Sequence, residues 1–175
     1  MIKLITLSRA EGGFILDCPQ LSVPIPCAIG VNGLIPAAEK REGDGKTPIG
    51  AWPMRELFYR PDRINLPKHH FSATEVTDQL GWCDAAEDPA YNQLVNLPFA
   101  PSHEKLWRQD HAYDLIIPLG YNDAPAQPHL GSAIFFHLLH DGKDSTAGCV
   151  AISRGHMLGL IPQLSEDSIL EITAA

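Results

Sequence analysis

The sequence predicts a mainly β fold, because short apolar runs alternate with turn-forming residues along the chain. Fifteen prolines and fourteen glycines among 175 residues interrupt long helices and favour many turns between short strands. The composition, with 45% hydrophobic and 19% charged residues, is typical of a globular protein. We therefore expect one domain over residues 1–175, large enough to bury roughly 70% of the surface of the unfolded chain.

The apolar pattern predicts an order of elements in which strands dominate. Strands are expected over residues 2–7, 14–18, 23–31, 51–59, 113–121, 133–140, 149–152 and 168–173. Ser102 is expected to cap a short helix through Trp107, and Ser153 a second helix over 154–161. Residues 60–101 contain five prolines and are expected to be irregular.

A charged loop at residues 34–50 is the other long connection. Its GDGKTP segment lacks the spacing of a phosphate-binding loop, so we reject that function. A polar loop of this length is often functional, and a solvent-exposed connection between strands is the alternative.

The net charge, the apolar stretches and the cysteines argue against several kinds of ligand and location. The net charge of −8 gives no electrostatic case for binding nucleic acid or an anionic membrane. No apolar stretch is long enough for a transmembrane span, and the N-terminal apolar patch is too short for a signal-peptide core. The four cysteines show no metal-binding spacing and are expected to be free thiols.

Residues 133–153 carry the strongest functional signal. His137 lies on an apolar run, Asp-Gly at 141–142 predicts a turn, and a small-residue segment then leads to Cys149. A strand–turn–strand arrangement of this kind brings His137 beside Cys149, where an imidazole makes a thiol useful as a nucleophile. Gly148 permits close approach of a substrate carbonyl. The alternative is that Cys149 is a buried core cysteine.

Strand alternation favours His137 over His140 as the base. In a strand these two histidines lie on opposite faces, so only one of them is expected to face Cys149. In a helix they would share a face and, with a cysteine, form a candidate zinc site. The neighbouring phenylalanines and turn signals favour the strand, which disfavours this zinc site. We expect no metal and no cofactor.

Two further residues are candidates for binding substrate. Arg108 can bind a carboxylate through both of its terminal nitrogens, although an ion-pair cluster with Asp110 and Asp114 is the stronger interpretation. Trp82 lies beside Cys83 in a loop-like segment and can line a cleft, although covering the core is the commoner use of such a tryptophan.

The order of His137, a turn and the segment STAGCV at 145–150 resembles the signature of the YkuD-type L,D-transpeptidases. These enzymes carry a histidine upstream of an [ST]-x-G-C-[IV] segment. Further segments similar to one branch of the family are KREGDGKTPIG at 40–50, GWCDAAEDPAYN at 81–92, LWRQDHAYDL at 106–115 and the segment 119–137. The resemblance extends from about residue 30 to about residue 155.

The resemblance implies a β-sandwich or barrel catalytic domain, with a few short helices, that acts on peptidoglycan stem peptides without a cofactor. Cys149 would be the nucleophile and His137 the general base and later the acid. Gly148 and the Cys149 N–H would contribute to an oxyanion hole. Attack by the thiolate would release a terminal D-alanine and leave a thioester, which an amine or water resolves. Thr146 would contact the substrate.

Two positions depart from the family pattern. Ala147 stands where many members have a second histidine, which concentrates the role of base on His137. Ala151 stands where many members have a polar residue, often arginine, so Arg108 or Arg154 is expected to anchor the substrate instead. These departures support an alternative function, a non-catalytic domain that binds cell-wall peptides.

The family resemblance also bears on location. It implies the periplasm or the cell envelope, whereas the N-terminus shows no export signal, so a cytoplasmic location is the alternative. The sequence carries no signal for an oligomeric state.

Overall fold

The computed structural model describes residues 1–140 and 142–174 and confirms a mainly β fold. The strands are β1 (Leu4–Ala10), β2 (Gly13–Asp17), β3 (Ile25–Cys27), β4 (Leu34–Pro36), β5 (Thr47–Pro53), β6 (Leu57–Tyr59), β7 (Ala73–Glu75), β8 (Leu80–Cys83), β9 (Leu94–Asn96), β10 (His103–Lys105), β11 (Leu115–Pro118), β12 (Phe135–Leu138), β13 (Val150–Ile152) and β14 (Ile169–Ile172). One α-helix, α1 (Arg154–Leu160), and 3-10 turns at Ala37–Glu39, His111–Tyr113 and Ile161–Gln163 complete the described elements.

The strands form three sheets. A six-stranded sheet has the order β3-β2-β1-β14-β5-β4, and a five-stranded sheet has the order β13-β12-β11-β6-β7. A small antiparallel sheet, β10-β8-β9, lies beside them. No helix in the described part of the chain is long and apolar enough to span a membrane.

The main core lies between the two large sheets. Alternating residues of the six-stranded sheet, such as Leu7 and Leu16, are fully buried in one cluster with Phe136 and Val150 of the five-stranded sheet. Because successive strand residues point to opposite faces, this packing turns Phe135 of β12 to the other side of its sheet. That other face carries the candidate site.

Several predicted elements agree with the structure. Strands β1 and β2, the strands around positions 135–138 and 150–152, and the final strand are all present. Helix α1 begins after Ser153, whose Oγ accepts a hydrogen bond from the His156 N–H. This is the predicted cap.

The predicted helix after Ser102 is wrong. His103–Lys105 instead forms β10, which pairs antiparallel with β8, so that His103 lies opposite Cys83 and Lys105 opposite Gly81. The Ser102 carbonyl accepts a hydrogen bond from the Asp84 N–H. Pairing with a distant strand therefore outweighs the local capping preference.

Two predicted irregular regions also contain strands. Residues 60–101 include β7, β8 and β9, and residues 34–50 include β4 and the start of β5. Strands β4, β7, β8 and β9 have only three or four residues each. The apolar pattern within each of them is therefore too brief to predict a strand.

Candidate active site

A cavity of about 790 Å³ contains both Cys149 and His137. It lies on the face of the five-stranded sheet that is turned away from the main core. Loop residues complete its wall, among them Lys40, Glu42, Glu104, Arg108, Ser132, Lys143 and Thr146.

The pairing of β12 with β13 places the histidine and the cysteine on one face. The two strands are parallel, with His137 opposite Ala151 and Phe136 opposite Val150. Cys149 comes directly before β13 and lies beside Phe135. It is two residues before Ala151, the residue that lies opposite His137. Because residues two apart in a strand share a face, His137 and Cys149 both point into the cavity.

The strand–turn–strand prediction needs one correction. Because β12 and β13 run parallel, the segment between them is a crossover connection rather than a tight hairpin. Thr146 in this connection pairs with Gly30, so the crossover is attached to the chain after β3. The turn predicted at Asp141-Gly142 involves Asp141, which lies outside the described residues.

Gly148 is required by the backbone in front of the cysteine. Its φ of +141° lies in a region that other residues rarely adopt, and a Cβ there would lie 2.9 Å from the Lys46 carbonyl oxygen. The Thr146 hydroxyl closes the same turn, since it accepts from the Gly148 N–H at 3.1 Å and donates to the Cys149 carbonyl at 2.8 Å. Thr146 thus lines the cavity while its hydroxyl holds the turn.

These bonds leave one backbone donor available near the sulfur. The Gly148 N–H is already bonded to Thr146, whereas the Cys149 N–H donates to no acceptor among the described residues. Of the two groups expected to form an oxyanion hole, the Cys149 N–H is the one with a free donor.

Thr47 is a site residue that the sequence did not reveal. It is fully buried, its Oγ1 donates to the Gly148 carbonyl at 2.8 Å, and it accepts from the Gly30 N–H at 2.8 Å. It therefore fixes the turn before Cys149 to the start of β5. A threonine in a charged loop gives no sequence signal for this role, because its partner is 101 residues away.

Cys149 is buried and its sulfur contacts backbone groups of the neighbouring chain. The Phe135 N–H donates to Sγ at 3.4 Å, and Sγ donates to the Ala133 carbonyl at 3.1 Å. Burial, followed by the negative charge of Glu104, raises the pKa of the Cys149 thiol to about 12. At rest the sulfur is therefore a thiol.

His137 is also buried, and its tautomer follows from one hydrogen bond. Nδ1 lies 2.7 Å from the Leu138 carbonyl oxygen, which can only accept, so Nδ1 carries the proton and Nε2 the lone pair. Burial lowers the pKa of His137 to about 4, although the Leu138 and Ala112 carbonyls oppose this shift. The imidazole is thus neutral and able to accept a proton at Nε2.

Tyr113 and Glu104 support the histidine and were not identified from the sequence. The Tyr113 ring meets the His137 ring edge-on, with centroids 5.3 Å apart, and its hydroxyl donates to Glu104 Oε2. The Arg108 guanidinium lies over the same tyrosine ring, 4.8 Å from its centroid. Arg108 and Tyr113 lie in the family-like segment 106–115, and Glu104 lies on β10 just before it.

Arg108 and Arg154 lie in different places. Arg108 lines the cavity and makes a bidentate ion pair with Asp110, in agreement with the ion-pair interpretation. Asp114 belongs to a separate ion pair with Arg63, at 2.9 Å. Arg154 donates to the Arg63 carbonyl at 2.6 Å and lines a smaller neighbouring cavity rather than the one with Cys149.

Trp82 packs against the core and does not line the Cys149 cavity. Its ring meets the Phe135 ring edge-on at 5.1 Å, and its indole N–H donates to Asn92 at 2.9 Å. It borders a separate cavity of about 400 Å³. Trp82 thus packs on the core and also lines a cleft, although not the one that contains Cys149.

His140 also lines the Cys149 cavity, contrary to the alternation argument. Strand β12 ends at Leu138, so the two-residue alternation does not continue to position 140. His140 Nε2 lies 3.6 Å from Asp110 Oδ2. In the described part of the chain, no group of three His, Cys, Asp or Glu side chains is arranged to hold a metal ion.

Comparisons with known proteins identify the family of the chain. A family model matches residues 19–172, and it describes YkuD, the L,D-transpeptidase catalytic domain. Among solved structures, L,D-transpeptidase 1 of Mycobacterium tuberculosis is similar over 98% of this chain, with 10% identity and a TM-score of 0.42, and the chain spans 61% of its length. No curated protein matches the sequence. Because the family model covers most of the chain, the chain belongs to the YkuD family of L,D-transpeptidase catalytic domains.

Proposed function

We propose that this chain is a cysteine-dependent acyltransferase that acts on peptidoglycan stem peptides. The observation that carries the proposal is the presence of Cys149 and His137 on one face of the β12–β13 pair, in one cavity. Family membership supports the L,D-transpeptidase class, and the bond that we propose is cleaved joins an L-centre to a terminal D-alanine.

The first step is the acylation of Cys149. Since the resting pair is a thiol and a neutral imidazole, the proton moves from Sγ to His137 Nε2 as the sulfur attacks the substrate carbonyl. The buried imidazolium is short-lived, because burial disfavours its charge, and it returns the proton to the departing D-alanine amine. A thioester on Cys149 remains.

The backbone around Cys149 supports the charge that develops on the substrate oxygen. The free Cys149 N–H is a fixed donor, and the turn that presents it is held by Thr146 and Thr47. A donor that is already in place needs no reorganisation in the transition state. Loss of one such donor typically costs 10²–10³-fold in rate.

The second step resolves the thioester. An amine of a second stem gives a cross-link, and water gives a shortened stem and hence carboxypeptidase activity. In both reactions neutral His137 takes a proton from the attacking group and passes it to the departing sulfur. Because peptidoglycan is the substrate, we place the activity in the periplasm or cell envelope.

The experiment is an assay of D-alanine release from a tetrapeptide stem, with and without an acceptor amine. We expect wild type to release D-alanine and Cys149→Ala to release none. Cys27→Ala is the matched control, since Cys27 is also a free cysteine but lines a different cavity. Equal release by wild type and Cys149→Ala would contradict catalysis by this cysteine, and no release from either would favour a domain that only binds stems.

A further inference from the structure

Two of the cations that line the Cys149 cavity form ion pairs, whereas the two lining glutamates form none among the described residues. The two cations on the inner wall each have an aspartate: Lys40 Nζ lies 2.7 Å from Asp44, and Arg108 is bidentate to Asp110. Lys143 is a third lining cation, but it is exposed, and water screens its charge.

The side chains that donate hydrogen bonds to the two lining glutamates are neutral, although the charge of Arg108 also acts on Glu104. Glu42 accepts from the hydroxyls of Tyr91 and Ser132, at 2.5 and 2.7 Å. Glu104 accepts from the hydroxyl of Tyr113. Glu42 is exposed, so water screens its charge as it does that of Lys143, whereas Glu104 is partly buried and makes no direct ion pair among the described residues, so its carboxylate favours a cationic ligand beside it.

Glu104 is the glutamate closest to the chemistry. Its Oε2 is bonded to Tyr113, whose ring packs on His137, and its charge raises the pKa of the Cys149 thiol. Its Oε1 accepts no hydrogen bond from the described residues. One carboxylate oxygen of a residue that lines the same cavity as Cys149 and His137 is therefore open to a ligand.

We propose that Glu104 binds the acyl acceptor as an ammonium group and takes its first proton, which makes this site selective for a cationic amine over a neutral nucleophile. The inference rests on the proposed function, since it needs a thioester on Cys149. Burial raises the pKa of Glu104, which makes its carboxylate a stronger base for this step.

The protons of the transfer step balance. The ammonium gives one proton to Glu104, and the resulting amine attacks the thioester carbonyl. Neutral His137 Nε2 takes a second proton from the attacking nitrogen and gives it to Cys149 Sγ as the carbon–sulfur bond breaks. The products are an amide and a thiol, and Glu104 returns its proton to solvent.

The experiment compares two acceptors on the acyl-enzyme at neutral pH. One is a peptide with a free side-chain amine, which is cationic, and the other is hydroxylamine, which is neutral. Glu104→Gln keeps the size of the side chain and an oxygen for Tyr113 but removes the charge. Glu11→Gln is the matched control, because Glu11 is exposed in the β1–β2 turn and outside the cavity.

We expect Glu104→Gln to lower the ratio of amine transfer to hydroxylamine capture by about 10- to 100-fold, the effect of losing one hydrogen bond to a charged group. Glu11→Gln should keep the wild-type ratio. An unchanged ratio in Glu104→Gln would overturn this inference and leave the proposed function intact. A wild type that forms no acyl-enzyme would overturn both.

A measurement on wild type keeps the inference testable if the variant does not fold. Nα-acetyl-lysine amide should slow the alkylation of Cys149 by iodoacetamide, because its ammonium occupies the Glu104 side of the cavity. The same compound acetylated on its side-chain nitrogen carries no charge and should not. Equal protection by the two compounds would overturn the inference.

Discussion

At the scale of single residues, the central feature is that Cys149 and His137, which line one cavity, are both neutral at rest. Burial shifts the two pKa values in opposite directions, to about 12 for Cys149 and about 4 for His137. Neither group is charged at neutral pH, so the thiolate forms only as the substrate is attacked. This differs from cysteine sites in which a resting thiolate is stabilised by a charged histidine.

This pair predicts how alkylation of Cys149 depends on pH. The rate with iodoacetamide should rise steadily up to at least pH 9, because the thiolate fraction keeps increasing below a pKa of about 12. The rate is measured by mass spectrometry of the peptide that contains Cys149. A plateau beginning near pH 6 would instead indicate a stable thiolate–imidazolium pair.

A side chain at position 148 is expected to destabilise the folded protein. Gly148→Ala should lower the free energy of unfolding by about 1–3 kcal/mol, since the new Cβ meets the Lys46 carbonyl at an unfavourable φ. Urea unfolding measures this change. In Gly155→Ala, the control in helix α1, the Cβ has open space, and stability should hold or rise. Equal destabilisation by both would contradict this account of Gly148.

At the scale of elements, β12 decides which histidine can act. His137 lies within the strand, opposite Ala151, whereas His140 lies beyond its end and near Asp110. The strand thus fixes the direction of the first imidazole only. Both histidines line the cavity, so lining alone does not distinguish their roles.

The two histidines should therefore differ in their effect on D-alanine release. His137→Ala should reduce the rate by roughly 10²–10⁴-fold, which is the usual contribution of a general base. His140→Ala should cause a milder loss. Steady-state kinetics of the two variants give the comparison, and severe losses of equal size would assign His140 a share of the role.

Thr47 joins β5 to the turn that presents the cysteine. Thr47→Ala leaves the Gly30 N–H and the Gly148 carbonyl without their buried partner, and should lower the free energy of unfolding by about 1–3 kcal/mol. Thr47→Ser keeps the hydroxyl and should recover most of this loss in urea unfolding. If serine gave no recovery, packing of the methyl group rather than the hydrogen bonds would be the cause.

At the scale of the whole molecule, the sequence predicted those features of the fold and the site that depend on residues adjacent in the chain. The mainly β class, the Ser153 cap and the strands around His137 and Cys149 follow from local patterns. The roles of Thr47 and Glu104 do not, because each depends on a contact formed only after folding. The helix expected after Ser102 was wrong for the same reason, since β10 is stabilised by pairing with β8.

Two sheets packed face to face also explain why the site lies where it does. Phe136 and Val150 of the five-stranded sheet pack in the core, so His137 and Cys149 lie on the opposite face. The loops around Lys40 and Ser132 then enclose that face in a cavity. The core and the site are thus the two sides of one pair of strands.

The most direct test of cysteine catalysis is to map the acyl group that a tetrapeptide stem leaves on the protein. The stem is mixed with wild type, the reaction is stopped with acid, and the digested protein is analysed by mass spectrometry. We predict an added mass equal to the stem without its terminal D-alanine, located on Cys149 and absent in His137→Ala at short times. A stem that is processed with the adduct on another residue, or with no covalent adduct at any time, would contradict catalysis by Cys149.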